Sequence, residues 1–226
     1  MKYSGFEKEE HFDRLSFYNG DCMDLLKQTP DKYYDLALVD PPYGININVS
    51  MGRRKGDKKS DYHKFYGNDS SIPNEEYFNE LFRISKNQIV WGGNYMTEHL
   101  KPSPCWILWD KGFSENVTFA QFEMAWTSFS SSAKKYDFNA AANNDRIHPT
   151  EKPRALYAWI LSRYAQNGFK ILDTHFGSGS IALAVDKANR LDKMNLHLTA
   201  CEIDKEYIDK AIKRISESIK QGTLSF

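Results

Sequence analysis

Short apolar runs alternate with amphipathic segments along most of the chain. Runs with the length of a buried strand predict strands at 15–19, 35–39, 88–91, 105–109, 122–126, 170–173 and 196–201. Helical spacing of apolar residues and local start signals predict helices that begin near 22, 74, 94, 154, 181 and 205, the third ending at 100. Strands that alternate with helices indicate an α/β fold with a mostly parallel, doubly wound sheet.

The composition supports a single globular domain over residues 1–226. Hydrophobic residues make up 41% of the chain, and 30 basic residues balance 30 acidic ones, which is unlike a disordered or membrane chain. A neutral total still allows nucleic acid as a partner, because binding needs only a local basic patch.

Cysteine usage and the lack of long apolar runs set the expected compartment. The three cysteines lie far apart in the sequence and form no metal-type pairs, so we predict no metal site and a reduced setting. No apolar run approaches the length needed to span a membrane. We therefore expect a cytoplasmic protein without membrane contact.

Two segments show no regular spacing of hydrophobic residues. The polar segment at about 45–73 carries a basic middle, with Arg53, Arg54, Lys55, Lys58 and Lys59. A solvated linker and a nucleic-acid contact both fit such a charge run, and its position directly after the corner described next favours contact. The serine-rich, alanine-rich and asparagine-rich stretch at 128–144 predicts a loop over the substrate.

Candidate chemistry begins where the 35–39 strand ends, at Asp40, Pro41, Pro42 and Tyr43. Pro41 pushes Asp40 towards an extended conformation, and neither proline can donate a backbone hydrogen bond. The carbonyls of Asp40 and Pro41 are therefore expected to project beyond the strand beside a carboxylate and an aromatic ring. Such acceptors suit a planar base with an exocyclic amine, although an ordinary proline turn with a surface aspartate is the alternative.

A second candidate site follows the 170–173 strand. Asp173 precedes a turn containing Gly177 and Gly179 that opens a helix, and Glu202 ends the next strand. Glycines allow close backbone approach at a nucleotide-binding turn, and an acid at that separation suits a ribose hydroxyl. Ser180 follows Gly179, and the third glycine of the dinucleotide fingerprint is absent, which argues against a pyrophosphate and leaves a ribose-bearing ligand whose other end is cationic or zwitterionic.

Together these motifs resemble the S-adenosylmethionine-dependent amino-methyltransferases that methylate adenine N6 or cytosine N4 in DNA. Asp40 to Tyr43 is similar to the catalytic motif, 173–180 to the methionine-end cofactor motif, and 148–153 to a segment that helps hold the cofactor. Asp21 matches the acid near the cofactor adenine, although a helix N-cap is its ordinary role. The resemblance implies cofactor-binding roles for Asp21, Cys22, His148, Thr150, Lys152, Asp173, Phe176, Gly177, Ser178, Gly179, Ser180, Glu202 and Ile203.

The motif order resembles that of the family's β group, in which the catalytic motif precedes the cofactor motif. It implies a Rossmann-like methyltransferase fold with a circularly permuted order. Two features depart from the family pattern: Thr174 and His175 replace a more usual proline-bearing pair, and about 110–147 is short for a target-recognition region.

The resemblance implies a site-specific enzyme that flips a base out of DNA and methylates adenine N6. Asp40 and the Pro41 carbonyl would accept the amine hydrogens, and Tyr43 would stack on the base. The alternatives are cytosine N4, an RNA or protein-amide substrate, and a non-catalytic DNA-binding regulator. DNA is the expected partner, and the resemblance also allows a homodimer and a cognate restriction endonuclease in a restriction-modification system.

Overall fold

The computed structural model describes residues 2–45, 69–113, 120–139 and 151–223. The first part of the chain contains β1 (Lys8–Phe12), β2 (Leu15–Asn19), α1 (Cys22–Gln28), β3 (Tyr34–Val39), α2 (Glu75–Ile84) and β4 (Ser85–Trp91). The second part contains β5 (Trp106–Asp110), β6 (Phe122–Thr127), β7 (Lys134–Asp137), α3 (Arg154–Tyr164), β8 (Lys170–Asp173), α4 (Ser180–Asp192), β9 (His197–Glu202) and α5 (Lys205–Thr223). Among these helices, none is both long enough and apolar enough to cross a membrane.

The strands form one sheet in the order β1-β2-β9-β8-β3-β4-β6-β5-β7. Every pairing from β2 to β4 is parallel, whereas β1 and β6 pair with their neighbours in antiparallel fashion. The central parallel strands with helices between them confirm the predicted α/β class. Their carboxyl ends lie along one edge, which is where open α/β sheets bind ligands.

Helices cover both faces of the parallel strands, as the alternation of buried residues requires. On one face Phe17, Leu38 and Trp91 pack in a cluster with residues of α3, α4 and α5. On the other face Tyr18 and Val39 pack with residues of α1 and α2. Strands buried on both sides read as continuous apolar runs, which is why the sequence identified the central strands.

The structure corrects two of the predicted elements. The predicted helix at 94–100 was wrong, because the chain forms only a 3-10 turn at Gly93–Tyr95 after Gly92 in a left-handed conformation with φ 67°. Met96 then turns into the core, where it is fully buried. The predicted loop at 128–144 was wrong at Lys134–Asp137, which forms β7 beside β5. Polar residues dominate this edge strand, so no apolar run marked it.

The strand β1 was also absent from the predictions. Its residues alternate between half-buried and exposed positions, and it pairs with β2 at the edge of the sheet. Edge strands often carry charged side chains that discourage pairing with other molecules. The same charges remove the hydrophobic signal on which strand prediction depends.

Candidate active site

Three acids predicted from separate motifs lie at the carboxyl edge of the parallel strands. Asp40 directly follows β3, Asp173 is the last residue of β8, and Glu202 is the last residue of β9. Because β3, β8 and β9 are neighbouring parallel strands, the fold brings these acids to the same edge of the sheet. Two parts of the site therefore lie side by side. One is the corner at Asp40–Tyr43, here called the acceptor corner, and the other is the turn that contains Gly177 and Gly179, here called the glycine turn.

The acceptor corner is held by hydrogen bonds within the Asp40–Tyr43 motif and from Asp69. The Tyr43 hydroxyl donates to Asp40 Oδ1 at 2.7 Å. Asp69 Oδ1 accepts from the backbone N–H groups of Tyr43 and Gly44 at 2.9 and 3.2 Å. The first backbone donors after the two prolines are thus satisfied by one carboxylate, which fixes the direction in which the chain leaves the corner.

The Tyr43 ring packs against Gly92 and against a second tyrosine, Tyr95. A Cβ atom placed on Gly92 would lie 2.2 Å from the Tyr43 ring, and Gly92 has a φ of +67°. Both the space and the backbone conformation therefore require glycine at this position. The ring of Tyr95 also stacks on Tyr43, with centroids 5.4 Å apart and an interplanar angle of 18°.

Lys152 lies in the acceptor corner, not against the acids of the glycine turn. Its ammonium forms an ion pair with Asp40 Oδ2, lies 3.2 Å from Glu123 Oε2 and donates to the Tyr43 hydroxyl at 3.2 Å. Glu123 Oε1 in turn pairs with Lys111 Nζ at 2.6 Å. The sequence predicted Lys152 as a cofactor residue, and the structure gives it a position beside the predicted catalytic motif.

These ion pairs shift the pKa values of Lys152 and Glu123 in the directions that keep both groups charged. Burial alone would lower the pKa of Lys152, but Asp40 and Glu123 raise it above the ordinary value. Burial alone would raise the pKa of Glu123, but Lys152 and Lys111 bring it below its ordinary value. A buried charge is tolerated only when it is paired and hydrogen-bonded, and each member of this cluster meets that condition.

The glycine turn places two carboxyl groups where they can accept hydrogen bonds. Asp173 is buried, and its Oδ1 accepts from the His175 backbone N–H at 3.1 Å. Burial raises the pKa of Asp173 to about 8. Glu202 accepts from the backbone N–H groups of Gly177 at 2.8 Å and Asp204 at 2.9 Å, and burial raises its pKa as well. A bound cation or hydroxyl donor would relieve the cost of ionising these groups.

The surroundings of this turn suit a ligand with hydroxyl groups at one end and a positive charge at the other. Gly177 and Gly179 have φ values of +51° and +73°, and nothing lies within 4 Å of a Cβ placed on Gly177. Ile203, beside Glu202, is a large apolar residue that is 66% exposed. Open space at a glycine, two acceptor carboxyls and an exposed apolar side chain match the ligand class that the sequence indicated.

An ion pair between the buried Glu151 and the partly buried Arg214 contacts the glycine turn. Ser180 Oγ donates to Glu151 Oε1 at 2.9 Å, and Arg214 Nη1 reaches the same oxygen at 2.9 Å. Arg214 Nη1 also donates to the Ser178 carbonyl at 3.3 Å, and the Ser178 and Ser180 hydroxyls lie 3.1 Å apart. These contacts tie α5 and the segment before α3 to the turn, so Ser178 and Ser180 help to set its shape.

Three other residues predicted at the cofactor site have evident structural roles. The Phe176 ring is buried and stacks on Phe17 with centroids 4.9 Å apart. Asp21 caps α1 by accepting from the Met23 backbone N–H at 2.8 Å. Cys22 is the first residue of α1, and burial raises the pKa of its thiol to about 12. Direct cofactor contact by these residues stays a prediction.

Seven predicted residues lie outside the described part of the chain. Two of them belong to the predicted cofactor segment, His148 and Thr150, and five to the basic segment, Arg53, Arg54, Lys55, Lys58 and Lys59. Their roles also stay predictions.

Several residues of the site were missed by the sequence analysis, namely Asp69, Tyr95, Lys111, Glu123 and Arg214, and Glu151 belonged to the predicted cofactor segment without a role of its own. Glu123 offered the clearest signal, because a charged residue near the start of a predicted strand needs a partner when it is buried. Within the described residues, no group of three His, Cys, Asp or Glu side chains is placed to hold a metal ion.

Comparison with known proteins identifies the family of the chain. The profile of a family described as DNA methylase matches residues 97–213, more than half of the 226-residue chain. The Type II methyltransferase M.BglII of Bacillus subtilis is 25% identical, with 94% of this chain and 71% of the relative covered. The Type II methyltransferase M.HinfI of Haemophilus influenzae is 26% identical, with 88% and 67% covered.

Solved structures show the same fold. The M1.HpyAVI–SAM complex superposes with a TM-score of 0.58 at 18% identity, covering 89% of this chain and 98% of that chain. The PvuII DNA methyltransferase, described as cytosine-N4-specific, gives a TM-score of 0.59 at 13% identity, covering 96% of each chain. The predicted Rossmann-like methyltransferase fold is confirmed. The chain belongs to the DNA methylase family that groups N6 and N4 methyltransferases, as the motifs predicted.

Proposed function

We propose that this chain transfers a methyl group from S-adenosylmethionine to the N6 amine of adenine in DNA. One observation carries the proposal: the acceptor corner after β3 and the glycine turn after β8 lie at the ends of adjacent parallel strands. A methyl donor held at one and an amine held at the other would be neighbours. Holding two reactants together can contribute roughly 7 to 11 kcal/mol to a reaction of this kind.

The cofactor is S-adenosylmethionine, as family membership supports. Asp173 would hold its ammonium, Glu202 would accept from its ribose hydroxyls, and the backbone of the turn at Gly177 leaves room for it. When bound, it supplies a methyl group on a positively charged sulfur. Asp173 and Glu202 both have raised pKa values because they are buried, so a cationic, hydroxyl-bearing ligand would relieve that cost.

Asp40 and the Pro41 carbonyl would hold the amine. An adenine amine is a poor nucleophile because its lone pair is delocalised into the ring, and two acceptors on its hydrogens would favour a geometry that frees the lone pair. Each carboxylate oxygen has about two acceptor sites, so Asp40 can bind an amine while keeping Tyr43 and Lys152. The surplus proton can leave the amine after transfer.

Base flipping completes the proposal, since the amine of a stacked base cannot reach such a corner. Tyr43 and its stacking partner Tyr95 offer an aromatic surface beside Asp40, and Tyr95 is 43% exposed. A flipped base would stack on this surface.

The five basic residues lie in the sequence between Gly44 and Asp69, and these two residues are in contact, because Asp69 Oδ1 accepts from the Gly44 backbone N–H at 3.2 Å. We propose that Arg53, Arg54, Lys55, Lys58 and Lys59 contact phosphates beside the flipped base. Residues 1–226 would form one methyltransferase domain, with about 110–147 as a short target-recognition region.

Cytosine N4 is the second candidate, favoured by the structural likeness to the cytosine-N4-specific PvuII enzyme. The proposal of adenine rests on the resemblance of Asp40 and Tyr43 to the adenine-modifying branch, in which aspartate is the more usual first residue. Mass spectrometry of nucleosides from DNA treated with the protein and S-adenosylmethionine separates the two. N6-methyladenine supports the proposal, and N4-methylcytosine alone would replace it with the second candidate.

The same assay tests the remaining alternatives. Methyl transfer to RNA or protein with none to DNA would move the substrate to another class. Binding of DNA with no transfer to any substrate would indicate a non-catalytic regulator. The homodimer and the cognate endonuclease stay predictions.

A further inference from the structure

Glu123 belongs to a partly buried row of alternating charges that ends at the Asp40–Tyr43 motif, and Lys152 is its most buried member. The row runs from Lys111 through Glu123 and Lys152 to Asp40, with contacts of 2.6 Å and 3.2 Å before the final ion pair. Two cations and two carboxylates sum to zero charge. Removing any one of them would leave an uncompensated charge in the protein interior, which is strongly unfavourable.

The Lys152 ammonium has three donor hydrogens and three oxygen acceptors around it. These are on Asp40, Glu123 and the Tyr43 hydroxyl. Its ammonium also lies 5.0 Å from the centroid of the Trp91 ring. The ammonium is therefore fixed from several sides, and it can orient the Asp40 carboxylate because its own position is set by Glu123.

Glu123 also changes what Lys152 does to Asp40. A lysine with only one counter-charge would be drawn wholly to Asp40 and would compete with a substrate amine for the lone pairs of that carboxylate. Glu123 supplies a second carboxylate, so the attraction of the Lys152 ammonium is shared between Glu123 and Asp40. Lys111, which holds the other oxygen of Glu123, prevents Glu123 from taking Lys152 away from Asp40.

We propose that Glu123 is a positioning residue for methyl transfer, acting through Lys152 to orient Asp40 and to keep its acceptor sites available to the amine. This inference rests on the proposed function. Glu123 lies on β6, opposite Trp109 on β5, so strands outside the parallel part of the sheet would help to set the catalytic carboxylate. Among the described residues, other ionisable groups that interact electrostatically with this cluster include Tyr77 from α2, Tyr157 from α3 and Asp173 from β8.

The test compares Glu123→Gln, Lys152→Met and the double variant, using kcat, the KM for DNA and the calorimetric affinity for S-adenosylmethionine. We expect Glu123→Gln to lower kcat about tenfold, the size of a typical coupling between contacting charged groups. The KM for DNA and the cofactor affinity should stay within about twofold of the wild-type values. In the Lys152→Met background, Glu123→Gln should have no further effect on kcat.

Two additional measurements guard against misfolding. Glu123→Asp retains the charge and should recover most of the lost rate, which a merely structural defect would not predict. Denaturant unfolding without cofactor should show that the stability losses of Glu123→Gln and Lys152→Met are not additive. If Lys152→Met does not fold, the comparison of Glu123→Gln with Glu123→Asp decides the question on its own.

Unchanged kcat in Glu123→Gln, additive effects with Lys152→Met, or equal rate losses in Glu123→Gln and Glu123→Asp would overturn the inference. A reduced cofactor affinity in Glu123→Gln would also overturn it. Failure of the wild-type protein to methylate DNA would contradict the proposed function instead, so the two failures are distinguishable.

Discussion

The buried ammonium of Lys152 forms an ion pair with the partly exposed carboxylate of Asp40, although the two residues are 112 positions apart in the sequence. Its neighbour Glu151 instead bonds Ser180 in the glycine turn and pairs with Arg214. Two consecutive residues thus support the two halves of the site. The segment before α3 therefore contacts both the acceptor corner and the glycine turn, and it fixes their relative position.

The folded protein opposes ionisation of Asp173. Burial raises its pKa from the ordinary value of 3.8 to about 8, so the folded state retains a proton that the unfolded chain releases between about pH 4 and 8. The free energy of unfolding therefore falls as pH rises through this window. We expect Asp173→Asn to raise the free energy of unfolding at pH 8, without cofactor, by at least about 1.4 kcal/mol, the equivalent of one pKa unit.

The same substitution should abolish tight binding of S-adenosylmethionine, because the amide cannot pair with its ammonium. Urea unfolding at pH 5 and pH 8 measures the first effect, and calorimetric titration measures the second. A variant that is no more stable than wild type at pH 8 would contradict the assigned pKa. Its stability advantage should shrink at pH 5.

Gly92 provides the space for the Tyr43 ring. We expect Gly92→Ala to reduce methyl transfer at least tenfold, because a Cβ there would lie 2.2 Å from the ring. The matched control is Gly168→Ala, which also has a positive φ, of +81°, but has open space around the added Cβ. Both variants should lose about 1 to 2 kcal/mol of stability from the left-handed backbone, with further overpacking cost only at Gly92. Equal activities of the two variants would contradict the role of Gly92.

Arg214 pairs with the carboxylate of Glu151 next to the glycine turn. We expect Arg214→Met to cost about 3 to 5 kcal/mol in the free energy of unfolding, because it leaves a buried carboxylate without its arginine. Cofactor affinity should also fall, since the variant cannot donate to the Ser178 carbonyl. The control on the same helix is Lys210→Met, which removes an exposed pair with Glu206 and should cost only about 0.3 to 0.5 kcal/mol. Similar stability changes in both variants would contradict the stabilising role of the ion pair between Arg214 and Glu151.

The basic segment should act on DNA and not on the cofactor. Replacement of Arg53, Arg54, Lys55, Lys58 and Lys59 by serine should weaken binding about equally on cognate and unrelated duplexes, because phosphate contacts carry no sequence information. The salt dependence of DNA affinity should flatten by roughly 0.9 log units for each phosphate that the variant no longer neutralises. An unchanged salt slope would indicate a linker. Reduced discrimination with retained non-specific affinity would indicate that the segment reads bases.

The sequence predicted the parts of the site whose geometry is set by residues close together in the chain. Asp40 must follow a buried strand because the two prolines end it, and Gly177 and Gly179 mark a turn directly after Asp173. The parallel sheet then places both motifs at one edge. These features need only neighbouring residues and the rule that ligands bind at that edge.

The charged cluster could not be predicted in the same way. Lys152 reaches Asp40 across 112 residues, and Arg214 reaches Glu151 across 63. Nothing in the local pattern specifies such partners, so Lys152 was assigned to the cofactor on the resemblance of its segment alone. Glu123 depends on how β6 pairs with β5 and β4, which a single sequence does not reveal.

The central claim is that Asp40 holds the amine while Asp173 holds the cofactor, and transfer of labelled methyl from S-adenosylmethionine to DNA tests it most directly. Wild-type protein should label the DNA, whereas Asp40→Ala should leave it unlabelled and still bind the cofactor in a calorimetric titration. Asp173→Ala should lose cofactor binding itself. Normal methyl transfer by Asp40→Ala, or normal cofactor affinity of Asp173→Ala, would contradict the account.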